Sequence, residues 1–244
     1  MSTINLPTIH VFAICYNEEK IIPFFLDHYR YADKITVYDN ESTDRSRELL
    51  SQDPRVNIIT YKTGDTLDDG VYVRIKQSCW KQADCTYAII VDMDEFIYHP
   101  DIKEFLKETN HAAYRPLGCN MTTEVFPASG SFVDTIKTGV VDRNYSKLCV
   151  LSPKRVRSIE YRLGCHQADI YMENSRDGVL ETAEMKLLHY KNISFEYRFN
   201  KHQEYLKRMS NFNKEVGAGI HYSFSEEKQR EEFDAFLRDM KELI

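Results

Sequence analysis

Two aspartates one residue apart, Asp92 and Asp94, are the strongest candidates for chemistry in the sequence. In an extended segment, residues i and i+2 face the same side, so both carboxylates could bind one cation while Met93 turns into the protein. Hard oxygen ligands that leave coordination positions open suit Mg²⁺ or Mn²⁺. Because an isolated Asp-x-Asp tripeptide occurs by chance in many proteins, its significance depends on the elements that position it.

Strand and helix patterns alternate through the N-terminal part of the chain. Short apolar runs predict strands over residues 9–15, 34–38, 56–61 and 87–91. The last run is almost wholly apolar, as strands buried on both faces are. A helical stripe over residues 22–29 follows the first strand. This order is typical of an α/β fold with a mostly parallel, Rossmann-like sheet flanked by helices.

Polar residues follow three of these predicted strands. The clusters are Tyr16-Asn17-Glu18, Asp39-Asn40 and Asp92-Met93-Asp94. Parallel sheets bind ligands beyond the carboxyl ends of their strands, so we expect the clusters to meet at one edge of the sheet. Residues of these types also cap helices. Capping explains Asp44 well but Asp92 and Asp94 poorly, because the apolar Phe96 follows them closely.

Length, composition and charge favour one main domain without a nucleic-acid partner. The chain has 244 residues, of which 42% are hydrophobic and 29% charged, so it can bury a sizeable core. Its formal net charge of −6 lacks the positive field of nucleic-acid-binding proteins. The basic run at residues 154–157 could contact a diphosphate or an anionic membrane surface, although charged runs are usually solvated.

Other features favour a cytoplasmic location, with peripheral contact at the inner face of the membrane left open. No apolar run approaches the roughly 18–20 residues of a membrane span, and residues 1–7 lack the pattern of a signal peptide. Six cysteines are scattered without a CxxC pair, as expected for free thiols in a reducing compartment.

The three polar clusters and the strands before them resemble the family 2-like glycosyltransferases, which have the GT-A fold. The matching segments are Ala13–Glu19, Val37–Asp44 and Val91–Phe96, and the Asp-x-Asp-Glu-Phe form of the last is similar to one subgroup of bacterial and related enzymes. Residues 9–98 carry the resemblance most strongly, and weaker blocks extend it to about residue 222. It implies metal-dependent, inverting transfer of a sugar from a nucleotide-sugar donor, with UDP as the nucleotide, to a glycan or a lipid-linked saccharide.

The resemblance also implies which residues bind the donor. Those that would contact the nucleotide or its diphosphate are Tyr16, Asn17, Glu18, Asp39, Asn40, Asp92 and Lys191. Asp39 could accept a hydrogen bond from a uracil N–H, and Asn40 could both donate and accept. A turn without a ligand is the alternative for these two residues. Lys147 is a weaker candidate than Lys191 for pairing with the diphosphate.

The metal, Mn²⁺ or Mg²⁺, would be held by Asp92 and Asp94 with a histidine from the second half of the chain. The resemblance points to His166 or His189, and we prefer His166 because Gly164 frees the backbone beside it. Neutral imidazole accompanies carboxylates readily around Mn²⁺. The metal would stabilise the departing nucleoside diphosphate, which gives Asp94 a catalytic role.

An inverting transfer needs a carboxylate that takes the proton of the acceptor hydroxyl. The candidates in the second half are Glu124, Asp134, Asp142 and Asp169. We choose Glu124, which follows a predicted strand. Glu95 is weaker, since alternation would turn it away from the metal.

Domain organisation follows from the same patterns. Residues 1–190 would form the GT-A domain, with a nucleotide-sugar-binding half at 1–100 and an acceptor-side half at 101–190. Residues 191–244 would form a helical C-terminal section. The glycines in residues 215–222 favour a mobile lid that becomes ordered over the donor.

A catalytically inactive nucleotide- or glycan-binding module with the same fold is the alternative to an enzyme. The presence of both Asp92 and Asp94 argues against it. A nucleotidyltransferase is disfavoured, because those enzymes usually carry a Gly-rich basic loop after the first strand. This chain has an acidic loop without glycine there, at residues 15–19.

Overall fold

The computed structural model describes residues 6–244, in which strands and helices alternate as the N-terminal pattern predicts. The strands are β1 (Ile9–Cys15), β2 (Lys34–Asp39), β3 (Val56–Thr60), β4 (Tyr87–Asp92), β5 (Glu95–Tyr98), β6 (Ala113–Thr123), β7 (Thr138–Val141), β8 (Val150–Leu151), β9 (Val156–Tyr161), β10 (Ala168–Met172), β11 (Val179–Ile193) and β12 (Lys241–Glu242). The helices are α1 (Ile22–His28), α2 (Ser46–Ser51), α3 (Asp69–Ser78), α4 (Ile102–Thr109), α5 (Phe132–Thr135), α6 (Phe195–Arg208), α7 (Asn211–Val216) and α8 (Glu226–Asp239).

The N-terminal half of the main sheet is parallel, in the order β4-β1-β2-β3. In this register Cys15 lies beside Asp39, and Ile14 lies beside Asp92. The carboxyl ends of β1, β2 and β4 therefore lie next to one another. The expected α/β class, with a mostly parallel sheet flanked by helices, is confirmed.

Both faces of this half-sheet are covered, which accounts for the continuous apolar run of β1. Val11 and Ala13 pack in one core with Phe25 of α1. Phe12, between them, packs in a second core on the opposite face with Trp80. Successive side chains of a strand point to opposite faces, so a strand buried on both sides has no polar alternation.

The second half of the sheet is built around the long strands β6 and β11, which pair in parallel. Strand β11 also pairs with β5 in the antiparallel direction, and this places His189 beside both Asn120 and Glu95. Strands β7 and β8 pair antiparallel with β6. Through these pairings, residues of the C-terminal half lie at the end of the sheet where Asp92 and Asp94 are found.

The helical section begins later than the expected boundary at residue 191. Strand β11 continues to Ile193 because its last residues pair with Thr122 and Thr123 of β6. Ser194 then caps α6 by accepting a hydrogen bond from the Tyr197 N–H. After α8 the chain returns to the sheet in the short strand β12, which pairs with β7.

The six cysteines carry free thiols, as expected, and most of them are buried. Within residues 6–244, no helix is both long enough and apolar enough to cross a membrane.

Candidate functional site

A cavity of about 400 Å³ lies beyond the carboxyl ends of β1 and β4. The predicted site residues in its wall are Tyr16, Glu18, Asp92, Asp94, His166, His189 and Lys191. The segment predicted to form a lid also contributes to the wall, through Val216, Ala218, Gly219, His221 and Tyr222. Its mobility stays a prediction. The structure thus brings side chains from both halves of the chain around one enclosed space.

Asp39 and Asn40 do not line the cavity. The Asp39 side chain is fully buried, forms an ion pair with Arg47 at 2.6 Å, and accepts from the Ser42 N–H. Asn40 accepts a hydrogen bond from the Arg208 guanidinium at 2.7 Å. Both side chains are therefore held by contacts with other residues of the chain, and their contact with a nucleotide stays a prediction.

Asn17 and Glu124 also lie outside the cavity wall. Asn17 has a positive φ of 50°, and its side-chain oxygen accepts from the Thr43 N–H at 2.8 Å, which ties the first loop to the turn after β2. Glu124 is exposed just past the end of β6. The side chain that β6 directs toward His189 is Asn120. The choice of Glu124 as catalytic base therefore has no support from its position.

Asp92 and Asp94 face the same cavity but have different partners. Strand β4 ends at Asp92, and Met93 and Asp94 form a turn rather than the expected extended segment. Met93 is buried, as expected. Asp92 lies 2.7 Å from the Lys76 ammonium and 3.8 Å from that of Lys147. The two lysines neutralise Asp92, so the carboxylate with more freedom to bind a cation is Asp94.

The second aspartate faces a histidine whose proton can be located from its hydrogen bonds. The Asn120 amide donates to the Asp142 carboxylate at 3.1 Å, so its oxygen points to His189 Nδ1, 3.1 Å away. That oxygen can only accept, and Nδ1 therefore carries a proton. Nε2 of His189 faces an Asp94 carboxylate oxygen at 3.4 Å. In a neutral imidazole the Nε2 lone pair would face the negative carboxylate and be repelled by it. The contact is favourable when Nε2 carries a second proton or when a cation lies between Nε2 and the carboxylate.

This arrangement fits a divalent cation bound by Asp94 and His189. Metal-binding histidines usually donate their other N–H to a protein oxygen, as His189 does to Asn120. Within the part of the chain that the structure describes, no three histidine, cysteine, aspartate or glutamate side chains form a metal cluster. Phosphate oxygens of a bound donor and water would supply the remaining ligands.

His166 has a different environment from His189. Its ring packs edge-on against Tyr145, with 4.7 Å between centroids, and Tyr145 also packs on His189 at 4.6 Å. Burial, helped by Lys147, lowers the pKa of His166 to about 4. The geometry therefore reverses our preference, and His189 is the histidine that lies against Asp94.

A buried ion pair holds the turn between β4 and β5. Glu95 pairs with Lys147 and accepts from the Asp92 N–H at 3.0 Å. Burial alone would raise the pKa of Glu95, but Lys147 and Lys76 outweigh it and hold that pKa well below its usual value. Glu95 does not line the cavity. Its role is to position Lys147 and the Asp92 backbone.

Arg208 and Lys191 are the cations nearest the aromatic wall of the cavity. The Arg208 guanidinium lies 3.1 Å from the centroid of the Tyr16 ring. The Lys191 ammonium lies 4.7 Å from the centroid of Tyr222 and 3.4 Å from its hydroxyl oxygen. Burial lowers the pKa of Lys191. Sequence patterns gave no signal for Arg208 or Lys76, because such residues are exposed in most helices.

Glu18 should make the stability of the protein depend on pH. Burial raises the pKa of this carboxyl from 4.5 to about 7, against the attraction of Lys201 at 3.0 Å. The folded state therefore binds this proton more tightly than the unfolded chain, so stability falls as the pH rises from about 4.5 to 7. We expect Glu18→Gln to reduce that fall by about 2–3 kcal/mol, measured by urea unfolding at pH 5 and pH 8.

The matched control for this prediction is Glu204→Gln. Glu204 pairs with the same Lys201 at 2.8 Å but is more exposed than Glu18. Glu204→Gln should change the difference in unfolding free energy between pH 5 and pH 8 much less. An equal loss of stability from pH 5 to pH 8 in Glu18→Gln and in the parent protein would show that Glu18 is not the titrating group.

Comparison with known proteins assigns no family. No protein-family model matches the chain, and no curated protein matches it closely enough to count as a relative. Among the solved structures that align with it is a mycobacterial protein, at 16% identity and a TM-score of 0.34, covering 47% of this chain and 41% of that one. The chain thus spans less than half the length of that protein.

Two other solved structures align at a similar level. A 4-diphosphocytidyl-2C-methyl-D-erythritol synthase from Anaerococcus prevotii has 13% identity and a TM-score of 0.33, with 60% of this chain and 70% of that one covered. HddC from Yersinia pseudotuberculosis has 13% identity and a TM-score of 0.33, with 61% and 78% covered.

Proposed function

We propose that the protein is a metal-dependent glycosyltransferase that uses a UDP-sugar donor. The observation that carries the proposal is the pair of acceptor atoms on Asp94 and His189, held 3.4 Å apart in the cavity wall. A bound Mn²⁺ or Mg²⁺ would act there as a Lewis acid that stabilises the diphosphate as it departs. The resemblance to family 2-like glycosyltransferases in residues 9–98 supports the same reaction.

The cavity wall has groups suited to each part of such a donor. Tyr16 offers an aromatic ring near the loops that follow β1 and β2, where the nucleoside would lie. Lys191 offers an ammonium, from β11, for the diphosphate. Asp39 and Asn40 would act indirectly. Asp39 holds Arg47, and Asn40 holds Arg208, whose guanidinium lies over the Tyr16 ring.

The proposed transfer is a direct displacement with inversion. The acceptor hydroxyl oxygen bonds to the anomeric carbon, the bond from that carbon to the diphosphate oxygen breaks, and its electron pair leaves with UDP. The hydroxyl proton passes to a carboxylate. None of the candidates Glu124, Asp134, Asp142 and Asp169 lines this cavity. Only Asp142 lines a second cavity that adjoins it, so we assign the base to Asp142.

The catalytically inactive binding module is the second candidate, and one observation favours it. The Lys76 and Lys147 ammonium groups already neutralise Asp92, which could allow nucleotide to bind without a metal. This candidate predicts ligand binding that is insensitive to a chelator and no release of UDP from a UDP-sugar.

Thermal unfolding in the presence of UDP separates these candidates. A ligand at 100 times its Kd stabilises a protein by about 2.7 kcal/mol, so UDP with Mn²⁺ should raise Tm by about 5–10 °C. EDTA should abolish that rise, and UDP-sugars with Mn²⁺ should be slowly hydrolysed. An equal rise with EDTA and no hydrolysis would favour the inactive module, and no rise at all would exclude UDP.

A further inference from the structure

A second cavity, of about 420 Å³, adjoins the first. Tyr145, Lys191 and His221 line both of them. On the far side, α8 lines the second cavity with Ala235 and Phe236. A molecule in the second cavity would therefore lie next to a ligand of the first cavity.

Two buried polar atoms of residues in this wall have no hydrogen-bond partner among residues 6–244. They are Nε of Arg198 and Nε2 of His202, in side chains that are 4% and 1% exposed. The two residues are four apart on α6, so their side chains are neighbours on one face of the helix. Buried polar groups are nearly always hydrogen-bonded, so this pair points to a ligand.

The hydrogen bonds that these residues do make show what the free atoms can do. The Gln229 amide donates to the Phe224 carbonyl, so its oxygen accepts from His202 Nδ1 at 2.8 Å, and Nε2 of His202 is an acceptor. Burial, with Lys191, lowers the pKa of His202 to about 2, which keeps it neutral. The other two Arg198 nitrogens donate to the backbone carbonyl of Gln229 and to the Glu232 carboxylate, and Nε is left as a free donor.

One free donor and one free acceptor on neighbouring side chains match a hydroxyl group. A hydroxyl accepts and donates at once, whereas a phosphate or carboxylate oxygen could accept from Arg198 but could not donate to His202. Asp142, Glu232 and Asp239 put three carboxylates in the wall, which accept from hydroxyls and outnumber its two cationic side chains. Phe236 adds an apolar surface.

We propose that the second cavity is the acceptor subsite and binds a neutral saccharide, with one saccharide hydroxyl bridging Arg198 and His202. A catalytic role for the second cavity rests on the proposed glycosyl transfer. In that reaction the acceptor approaches the anomeric carbon from the side opposite the diphosphate. Binding of the saccharide itself does not depend on that reaction.

Saturation-transfer NMR on the full chain tests the proposal. The probes are the methyl glycosides of glucose, galactose, mannose and N-acetylglucosamine, each added with and without UDP and Mn²⁺. We expect at least one of them to bind. His202→Phe, which keeps a ring but removes the acceptor atom, should raise its Kd about tenfold, as expected for one lost hydrogen bond, and leave UDP affinity unchanged.

A second variant and a control complete the experiment. Ala235→Trp fills the cavity from the partly exposed face of α8 and should abolish glycoside binding even if His202→Phe does not fold. His28→Phe replaces a half-buried histidine that lines neither cavity and should leave glycoside binding unchanged.

Three results would overturn the acceptor subsite. They are no signal from any glycoside, glycoside binding that is unchanged in Ala235→Trp, and tighter binding of glucose 1-phosphate than of methyl glucoside. Failure of the proposed function has a different signature, in which glycosides bind as expected but UDP with Mn²⁺ does not.

Discussion

Replacement of Asp94 by asparagine is expected to lower Mn²⁺-dependent release of UDP from a UDP-sugar by about 100-fold or more. The substitution keeps the shape of the side chain but removes the negative charge that faces His189 at 3.4 Å. Burial alone would raise the pKa of Asp94, yet His189 and Lys191 outweigh it and lower that pKa. The ionised carboxylate therefore stabilises the fold, and Tm should fall slightly. Steady-state kinetics and thermal unfolding measure the two effects.

Two further variants show whether the effect comes from metal binding. Asn120→Leu removes the group that orients His189 and should weaken Mn²⁺ binding about 10–100-fold. His166→Ala changes a histidine of the same cavity that packs on Tyr145, and it should have a much smaller effect. Full EDTA-sensitive activity in Asp94→Asn would rule out this metal site.

Replacement of Lys147 by methionine is expected to destabilise the protein by about 3–5 kcal/mol, and so to lower Tm by about 10 °C or more. Lys147 is the main partner of Glu95, and both side chains are buried. Removing the ammonium leaves a buried carboxylate whose charge is offset only by the weaker attractions of Lys76 and His189. Urea unfolding at pH 7 gives the free energy directly.

The double variant Glu95→Gln with Lys147→Met should recover much of this loss, because the neutral amide keeps an acceptor for the Asp92 N–H. Lys154→Met is the matched control. Its ammonium is on a side chain 74% exposed and lies 3.5 Å from Asp84, and such surface pairs contribute about 0–1 kcal/mol. If Lys147→Met unfolds at the same temperature as Lys154→Met, the buried pair contributes little stability.

The N-terminal half of the fold could be predicted from the sequence because its strands are buried on both faces. In β1, Val11 and Phe12 belong to cores on opposite faces, so the apolar run itself identifies a covered parallel strand. Strand β6 gave no such signal. It places Asn120 and Thr122 in buried positions, where they bond to His189 and to the Asn192 carbonyl. Polar residues used in this way disturb the pattern from which a strand is predicted.

Residues of the candidate site could be predicted where they closely follow an apolar strand, or where the family resemblance implied them, as for His189 and Lys191. Asp92 and Asp94 stand out because they follow an apolar strand. Lys76 is buried because Asp92 lies 2.7 Å away, although the two are far apart in sequence. Arg208 is buried for a similar reason, through Asn40. A single sequence does not reveal such long-range pairs, and a lysine or arginine on a helix is normally expected to face solvent.

Strand β11 limits where the length of the chain can change. His189 and Lys191 line the cavity, while Leu188 and Tyr190, which alternate with them along the strand, pack in the core. An insertion of one residue just before Leu188 would exchange these two sets, putting an imidazole and an ammonium into the core and apolar groups into the cavity. The mostly exposed residues 173–178, ahead of β11, face no such constraint. Fusion tags and loop extensions therefore belong in that turn, and the stretch that carries His189 should keep its length.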